Sequence, residues 1–206
     1  DIDATNGLTL SFWVKLNISA PWDYVITGNP GTSVDSQLNL RWNAGGGLTS
    51  WIHGSSNATG INIGYDTWHH IVMTMNYTTG AVECYDNSVI ATPITPLIFG
   101  SAYSNAKLTA IGAANIVGLN SMDGFISDVA IFKSVFDQNA ITNLYNNGEP
   151  TDLSSLNPEI WYRIGDMAYS GGSADIWVIP NEGNSSIGGS AVNMVIEDRM
   201  GNAPSS

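Results

Sequence analysis

The chain opens with a regular alternation of apolar and more polar positions. Apolar side chains occupy every second position from Leu8 to Leu16, and the residues between them are Thr9, Ser11, Trp13 and Lys15. In a β-strand, successive side chains point to opposite faces, which gives a period of two residues. The pattern therefore predicts a β-strand with one buried face.

The same period returns in the next part of the chain. Leu38, Leu40 and Trp42 alternate with Gln37, Asn39 and Arg41. The glycine-rich stretch 44–47 can supply the positive φ angles of a hairpin turn, which predicts a return strand over LTSWIH at 48–53. We expect a further short strand over about 59–63.

The stretch TWHHIVMTMN at 67–76 places two adjacent histidines in a predicted strand. His70 shares a face with Trp68, Val72 and Thr74, whereas His69 shares the other face with Ile71, Met73 and Met75. Two imidazoles on opposite faces cannot join in one metal site, which needs its ligands on one side. We therefore predict structural roles for His69 and His70, by packing or by one hydrogen bond each.

The second half of the chain continues with short β-prone runs and one helical pattern. Asp86 and Asn87 interrupt AVECYDNSVIAT as a predicted hairpin turn, and further strands are expected over 106–112 and 122–132. Asp137 is a good helix N-cap, the helix face is formed by Ile141, Leu144 and Tyr145, and Gly148 and Pro150 stop the helix. These elements predict an all-β, two-sheet antiparallel sandwich with one short helix near 137–147.

Composition and charge exclude several classes of partner. The 206 residues are 43% apolar, and 18 acids against 6 bases give a formal charge of −12. Nucleic-acid binding needs a basic stripe, and the bases are scattered: Lys15, Arg41, Lys107, Lys133, Arg163 and Arg199. No apolar run approaches the roughly 20 residues of a membrane-spanning helix. We expect a soluble protein that binds neither nucleic acid nor membrane.

The single cysteine and the first residues of the sequence each support one expectation. Cys84 is the only cysteine, so no intrachain disulfide can form, and its mid-strand position predicts an inert core thiol. The chain begins DIDATNGLTL, without an initiator Met or a secretory leader. We expect a processed chain or a piece of a longer one.

Four stretches in this order resemble a known family. LTLSFWVKL, DTWHHIVMTMN, ECYDNSVIAT and MDGFISDVAIFKSVFDQNAITNLYNNG are similar to the core strands, hairpin and closing helix of the laminin G-like, or pentraxin-like, branch of the concanavalin A-like jelly rolls. The resemblance covers about residues 7–150 and implies a jelly-roll fold. EIWYRIGD at 159–166 and MVIEDRMGN at 194–202 resemble the leading segment of such domains, as carried by structural proteins of marine bacteriophages.

The two ends of the chain suggest a division at about residue 156. Only seven residues precede LTLSFWVKL, so one family strand is missing there and an open sheet edge needs cover. We predict a laminin G-like sandwich over 1–156, to which residues 159–164 add an antiparallel strand. The rest of 157–206 is expected to be an irregular arm rich in Gly and Ser. The alternative is that 157–206 opens a truncated second repeat.

The acids do not form the pattern of a glycosidase. Retaining enzymes need two carboxylates about 5 to 5.5 Å apart, which on a strand means acids two positions apart. Glu83 and Asp86 differ in parity, as do Asp123 and Asp128, and no nucleophile elbow, metalloprotease motif or phosphate loop occurs. We therefore predict that the protein is not an enzyme.

No cofactor is required by the sequence, although calcium stays open. Ca²⁺ takes loop carboxylates and backbone carbonyls without a fixed spacing, and the resemblance implies loop-borne Ca²⁺ in some members. Asp35, Asp66 and Asp123 lie at predicted strand ends and are the candidate ligands. Their alternative role is that of solvated acids in an acidic chain.

Two functions from different classes fit these observations. The first is a glycan-binding adhesion module that uses Trp22, Tyr24 or Tyr103 as stacking platforms. The second is a structural component of a particle surface, such as a phage decoration or fibre protein, which contacts other chains. The phage-like tail favours a non-catalytic virion surface protein with a glycan-adhesion role. A secreted or cell-surface lectin-like module of a larger protein is the alternative, and both imply an extracellular or virion-surface location.

Overall fold

The computed structural model describes residues 2–18, 22–28, 38–52, 55–93, 105–106, 108–114, 120–164, 169–170, 176–186 and 188–192. Its strands in the first half are β1 (Ile2–Asp3), β2 (Gly7–Ile18), β3 (Asp23–Gly28), β4 (Leu38–Trp42), β5 (Gly47–Ile52), β6 (Ser55–Asn62), β7 (Trp68–Asn76), β8 (Val82–Asp86) and β9 (Val89–Ile90). The second half contains β10 (Asn105–Ala106), β11 (Ala110–Ile111), β12 (Asp123–Phe132), helix α1 (Gln138–Tyr145), 3-10 turns at Asn146–Gly148 and Ser154–Leu156, β13 (Ile160–Tyr162), β14 (Tyr169–Ser170), β15 (Ile176–Ile179) and β16 (Gly189–Val192).

Two antiparallel sheets dominate the described part of the chain. The five-stranded sheet has the order β11-β3-β4-β5-β6, and the six-stranded sheet has the order β13-β12-β2-β7-β8-β9. β1 pairs with β10, and β14, β15 and β16 form a small third sheet. This arrangement confirms the predicted all-β sandwich with one short helix.

The main core lies between the two large sheets. The alternating side chains of β2 from Leu8 to Leu16 are fully buried there. They face the β4 side chains Leu38, Leu40 and Trp42, which are also fully buried. Burial of apolar surface stabilises the sandwich by about 25 cal/mol for each Å² removed from water. The alternation read from the sequence therefore identifies the side chains on the inner faces of both sheets.

A second apolar cluster covers part of the outer face of the six-stranded sheet. Helix α1 packs Ile141 and Leu144 there, against Val72 and Phe132 of the sheet. Asp137 caps the helix by accepting a hydrogen bond from the Ala140 N–H at 2.8 Å, as predicted. The helix ends at Tyr145 and is capped by Asn146, whose φ of 46° is left-handed, before the expected stop at Gly148 and Pro150.

The predicted C-terminal strand is present. β13 pairs antiparallel with β12, with Trp161 opposite Ala130. Trp161 is only 5% exposed and belongs to the cluster beneath α1, whereas Ile160 and Tyr162 join the inner core. The covered edge is that of β12, however, because β2 already has β12 on one side and β7 on the other. The sequence placed the open edge beside β2, and that detail is wrong.

The segment after β13 is more regular than expected. Three described stretches there form the three-stranded sheet β14-β15-β16, and Ile179 packs against the inner core. Asn181 ties the segment to β13, since its side-chain oxygen accepts the Trp161 N–H at 2.8 Å. The expectation of an irregular arm is wrong for these residues. The Gly and Ser content of the segment favoured irregular structure, but the β-prone run IWVI forms β15, which pairs with a strand on each side.

Other strand bounds differ from prediction by a few residues. β6 begins at Ser55 rather than near 59, because it pairs with β5 from the Ile52–Ser55 position onward. The strand expected over 106–112 is two short strands, β10 and β11, in different sheets. The turn expected at Asp86 and Asn87 lies one residue later. Asn87 and Ser88 have positive φ, as a two-residue hairpin requires.

Candidate functional site

The outer face of the five-stranded sheet carries the candidate site. Leu40 and Trp42 of β4 point into the core, so Arg41 between them points outward. Arg41 pairs with Tyr24 of β3 on one side and with Thr49 of β5 on the other. Trp51, two residues after Thr49, lies on the same face. These strands therefore bring aromatic side chains together around one cation.

Trp22 lies over this cation and remains accessible to solvent. The guanidinium carbon of Arg41 is 3.7 Å from the centroid of the Trp22 ring, and Trp22 is 49% exposed. The Trp22 N–H donates to the Trp42 carbonyl at 3.1 Å, which fixes its backbone beside β4. Its φ of 77° is unfavourable for a residue with a Cβ. Such strain persists where the surrounding structure enforces it, often at binding sites.

Arg41 is buried beneath Trp22. It is only 5% exposed, and its guanidinium carbon lies 5.1 Å from the centroid of the Trp51 ring. Its Nη2 donates to the Ser56 hydroxyl at 3.2 Å. Its Nε and the indole Nε1 of Trp51 are buried and have no hydrogen-bond partner among the described residues. We name Trp22, Tyr24, Arg41 and Trp51 the Arg41 face.

The structure brings together two of the three predicted glycan-binding aromatics. Tyr24 is half-buried beside Arg41, and its N–H donates to the Asn120 carbonyl at 3.0 Å. Tyr103 lies outside the described residues. Sequence reasoning did not select Arg41 or Trp51 as site residues. The alternation along β4 did place Arg41 opposite the core face, which was the available signal.

Two of the predicted calcium ligands lie near the end of β2. The Asp66 N–H donates to the Leu16 carbonyl at 2.7 Å, and Asp123 pairs with Ile18. The Asp123 carboxylate accepts a hydrogen bond from Asn17 Nδ2 at 3.0 Å. Asp35 lies outside the described residues. Within the described ranges, no group of three or more His, Cys, Asp or Glu side chains is arranged to hold a metal ion.

The two adjacent histidines are structural, as predicted. His69 Nδ1 and Asp86 Oδ1 lie 2.8 Å apart at the sheet margin. His70 lies on the outer face of the six-stranded sheet, 4.8 Å from the Trp13 ring, and its Nε2 is hydrogen-bonded to the Ser11 hydroxyl at 2.8 Å. Each imidazole therefore makes one hydrogen bond on its own side of the strand.

The Ser11–His70 pair resembles part of a catalytic triad but lacks its chemistry. Burial lowers the pKa of His70 to about 3, which makes it a poor general base near neutral pH. His70 Nδ1 has no described hydrogen-bond partner, whereas a triad histidine is oriented there by an acid. His70 and Ser11 are only 1% and 3% exposed. The pair is a packing feature.

The acids near the sheets that the structure describes lie in different environments. Asp128 is buried and accepts hydrogen bonds from Trp161 Nε1 at 3.3 Å and from the Ser127 hydroxyl at 2.9 Å. Asp123 is exposed at the start of the same strand. Glu83 accepts from the Tyr85 hydroxyl at 2.8 Å. Burial raises the pKa of the Cys84 thiol to about 12, in agreement with the predicted inert core cysteine.

Comparison with known proteins is consistent with this architecture. The family model Laminin_G_3, described as concanavalin A-like lectin/glucanases superfamily, matches residues 1–142. The chain is 26% identical over 167 residues to adhesion G-protein coupled receptor V1 of Danio rerio, covering 76% of this chain but 3% of the receptor. None of the described helices has the length and apolar content needed to cross a membrane.

Two solved structures share the fold. A heptameric SAP-like pentraxin from Limulus polyphemus superposes with a TM-score of 0.51 at 16% identity, covering 70% of this chain and 71% of the pentraxin. A Bacteroides ovatus protein described as carbohydrate-binding superposes with a TM-score of 0.64 at 15% identity, covering 94% of this chain and 55% of that protein. At these identities the likeness shows the fold alone. Because the family match spans most of its length, the chain belongs to the Laminin_G_3 family of the concanavalin A-like lectin/glucanase superfamily.

Proposed function

We propose that the protein is a non-catalytic glycan-adhesion module that binds sugars on the Arg41 face, at a cell surface or on a particle surface. Described acids near the sheets are engaged in local hydrogen bonds, which supports a binding role rather than hydrolysis. The similarity to a protein described as carbohydrate-binding and to an adhesion receptor supports the same class.

The observation that carries this proposal is the position of Trp22. A ring that is 49% exposed is held over a buried cation rather than being free to rotate in solvent. Sugar rings stack their C–H faces on such aromatic surfaces, and a fixed ring loses little conformational entropy on binding. Tyr24, beside Arg41, supplies a second aromatic edge on the same face. This geometry supports the stacking of a sugar on the Arg41 face.

The test is a glycan array probed with the intact chain and two tryptophan variants. Trp22→Ala removes the stacking ring, and we expect the affinity for any bound glycan to fall at least about tenfold. Trp68→Ala is the matched control, because half-buried Trp68 lies on the six-stranded sheet beside Lys15. Equal losses in both variants, or full binding by the Trp22 variant, would contradict the proposal.

A particle-surface role, as in a virion decoration protein, is the second candidate function. Its support is β9, the outer strand of the six-stranded sheet, which exposes Val89 at 68% and Ile90 at 51%. Exposed apolar residues on an edge strand favour pairing with another chain. Cross-linking in native particles should then capture a neighbouring chain through β9, and Val89→Lys should abolish that cross-link. Cross-links that do not involve β9 would count against this role.

A further inference from the structure

Arg41 is an unusual cation in this molecule. The chain has 18 acids and only 6 bases, so carboxylates are abundant, yet Arg41 makes no ion pair with a described carboxylate. It is nevertheless 95% buried by its neighbours, being 5% exposed. Buried guanidinium groups are normally paired, because desolvating a charge is costly. The partner missing among the described residues is an anion.

The orphaned donors around Arg41 indicate the same kind of ligand. Arg41 Nε and Trp51 Nε1 are both buried N–H donors on one face, and neither has a described acceptor. The guanidinium carbon lies 5.1 Å from the centroid of the Trp51 ring, so the two donors belong to neighbouring side chains. Leaving buried donors unsatisfied destabilises a site, and a bound acceptor removes that cost.

We propose that Arg41 makes the Arg41 face selective for sugars that carry a carboxylate. Guanidinium and carboxylate have matching planar geometry and form the stronger, charge-assisted class of hydrogen bond. A sugar hydroxyl would satisfy the donors but not the charge. This inference rests on the proposed glycan binding and adds the class of sugar that is bound.

Trp22 defines the direction from which the carboxylate arrives. Its ring covers the face of the guanidinium at 3.7 Å, so the anion has to approach past the edge of that ring. A sugar in contact with Trp22 can present an exocyclic carboxylate at this edge. The formal charge of −12 opposes anions elsewhere on the molecule, so a preference for acidic sugars requires a local cation.

A purely supporting role for Arg41 makes a different prediction. In that case the guanidinium only holds the Trp22 ring in place, and its loss lowers the affinities for neutral and acidic sugars by the same factor. Selectivity for the carboxylate requires that the affinity for the acidic sugar fall by a larger factor than the affinity for the neutral sugar. The ratio of the two affinities therefore separates the roles, whatever the size of each loss.

The experiment titrates the intact chain with matched pairs of oligosaccharides, each hexuronate-containing sugar beside its carboxyl-reduced form. The wild-type chain should bind the acidic member at least about tenfold more tightly. Arg41→Gln should bring the ratio to about one. Lys133→Gln should leave the ratio unchanged, because it removes the same charge at the end of β12, where Lys133 pairs with Glu159 at 3.0 Å.

Controls keep the two proposals separate. Arg41→Lys retains the charge without the fork of donors and should give an intermediate ratio, and thermal melting verifies that each variant is folded. Equal binding of both members of every pair by the wild type, or a ratio that survives Arg41→Gln, overturns the selectivity alone. Failure of the folded wild type to bind any sugar, acidic or neutral, overturns the glycan function and the selectivity together.

Discussion

At the scale of single residues, the contact between Trp22 and Arg41 holds an exposed ring over a buried cation. The contact between Trp22 and Arg41 depends on the pairing of β3 with β4 and on the irregular register between Tyr24 and Ile26. No local pattern encodes such a register shift.

The buried His70 gives a pH dependence with a definite sign. Burial lowers its pKa from 6.5 to about 3, so between these values the unfolded chain binds the proton and the folded chain does not. The free energy of unfolding should therefore fall by about 1.4 kcal/mol for each pH unit below 6.5, down to about pH 3.

His70→Gln should flatten the dependence of the free energy of unfolding on pH in that range, relative to the wild type. The carboxylates titrate in both proteins, so the comparison isolates His70. Denaturant unfolding curves at several pH values measure the difference between the two profiles. Parallel profiles for the two proteins would show that His70 does not remain neutral inside the fold.

The backbone of Trp22 gives a second prediction at this scale. With φ at 77°, any residue with a Cβ is strained there, whereas glycine is not. Trp22→Gly should therefore be more stable than Trp22→Ala by about 1 kcal/mol, although both lose the ring. Chemical unfolding of the two variants measures this difference. A less stable glycine variant would show that position 22 is unstrained.

At the scale of elements, local signals predicted the strands and long-range pairing decided their neighbours. The β-prone EIWYRIGD was correctly expected to add a strand, because its aromatics need burial. Its partner proved to be β12, and Glu159 also bonds through its backbone N–H to the Ile131 carbonyl at 2.8 Å. β15 was missed, because short strands inside Gly-rich and Ser-rich sequence carry little periodicity.

The role of β13 can be tested by removing it. A chain that ends at residue 156 loses the burial of Ile160, Trp161 and Tyr162 and leaves the edge of β12 unpaired. We expect a melting temperature at least several degrees lower, and self-association through the open edge. Thermal melting and light scattering measure both. A monomeric 1–156 chain with the full melting temperature would instead support a domain boundary at residue 156.

At the scale of the whole molecule, fold and family could be predicted from the order of four strand-rich stretches, but the site could not. The aromatic candidates in the sequence were Trp22, Tyr24 and Tyr103, and nothing local showed that Trp22 stays exposed. Exposure depends on how the two sheets pack, which is a property of the complete chain.

Calcium binding stays a prediction at this scale, with Asp66 and Asp123 as the described acids near the end of β2. An ion that binds only the native state must raise the melting temperature. Calcium should therefore raise it and EDTA should reverse the shift, with Asp123→Asn abolishing the response. A melting temperature that changes with neither calcium nor EDTA would show that no calcium ion stabilises the native state.

The most direct test of the Arg41 face follows the indole N–H signals of the seven tryptophans by NMR during titration with a bound glycan. Each tryptophan contributes one indole N–H. Glycan binding at the Arg41 face should shift the signals of Trp22 and Trp51, because the sugar stacks on one ring and an acceptor reaches the buried N–H of the other. The signals of Trp13 and Trp161, which are buried on the outer face of the six-stranded sheet, should stay in place. Shifts of Trp13, Trp68 or Trp161, with Trp22 and Trp51 unchanged, would contradict glycan binding at this face.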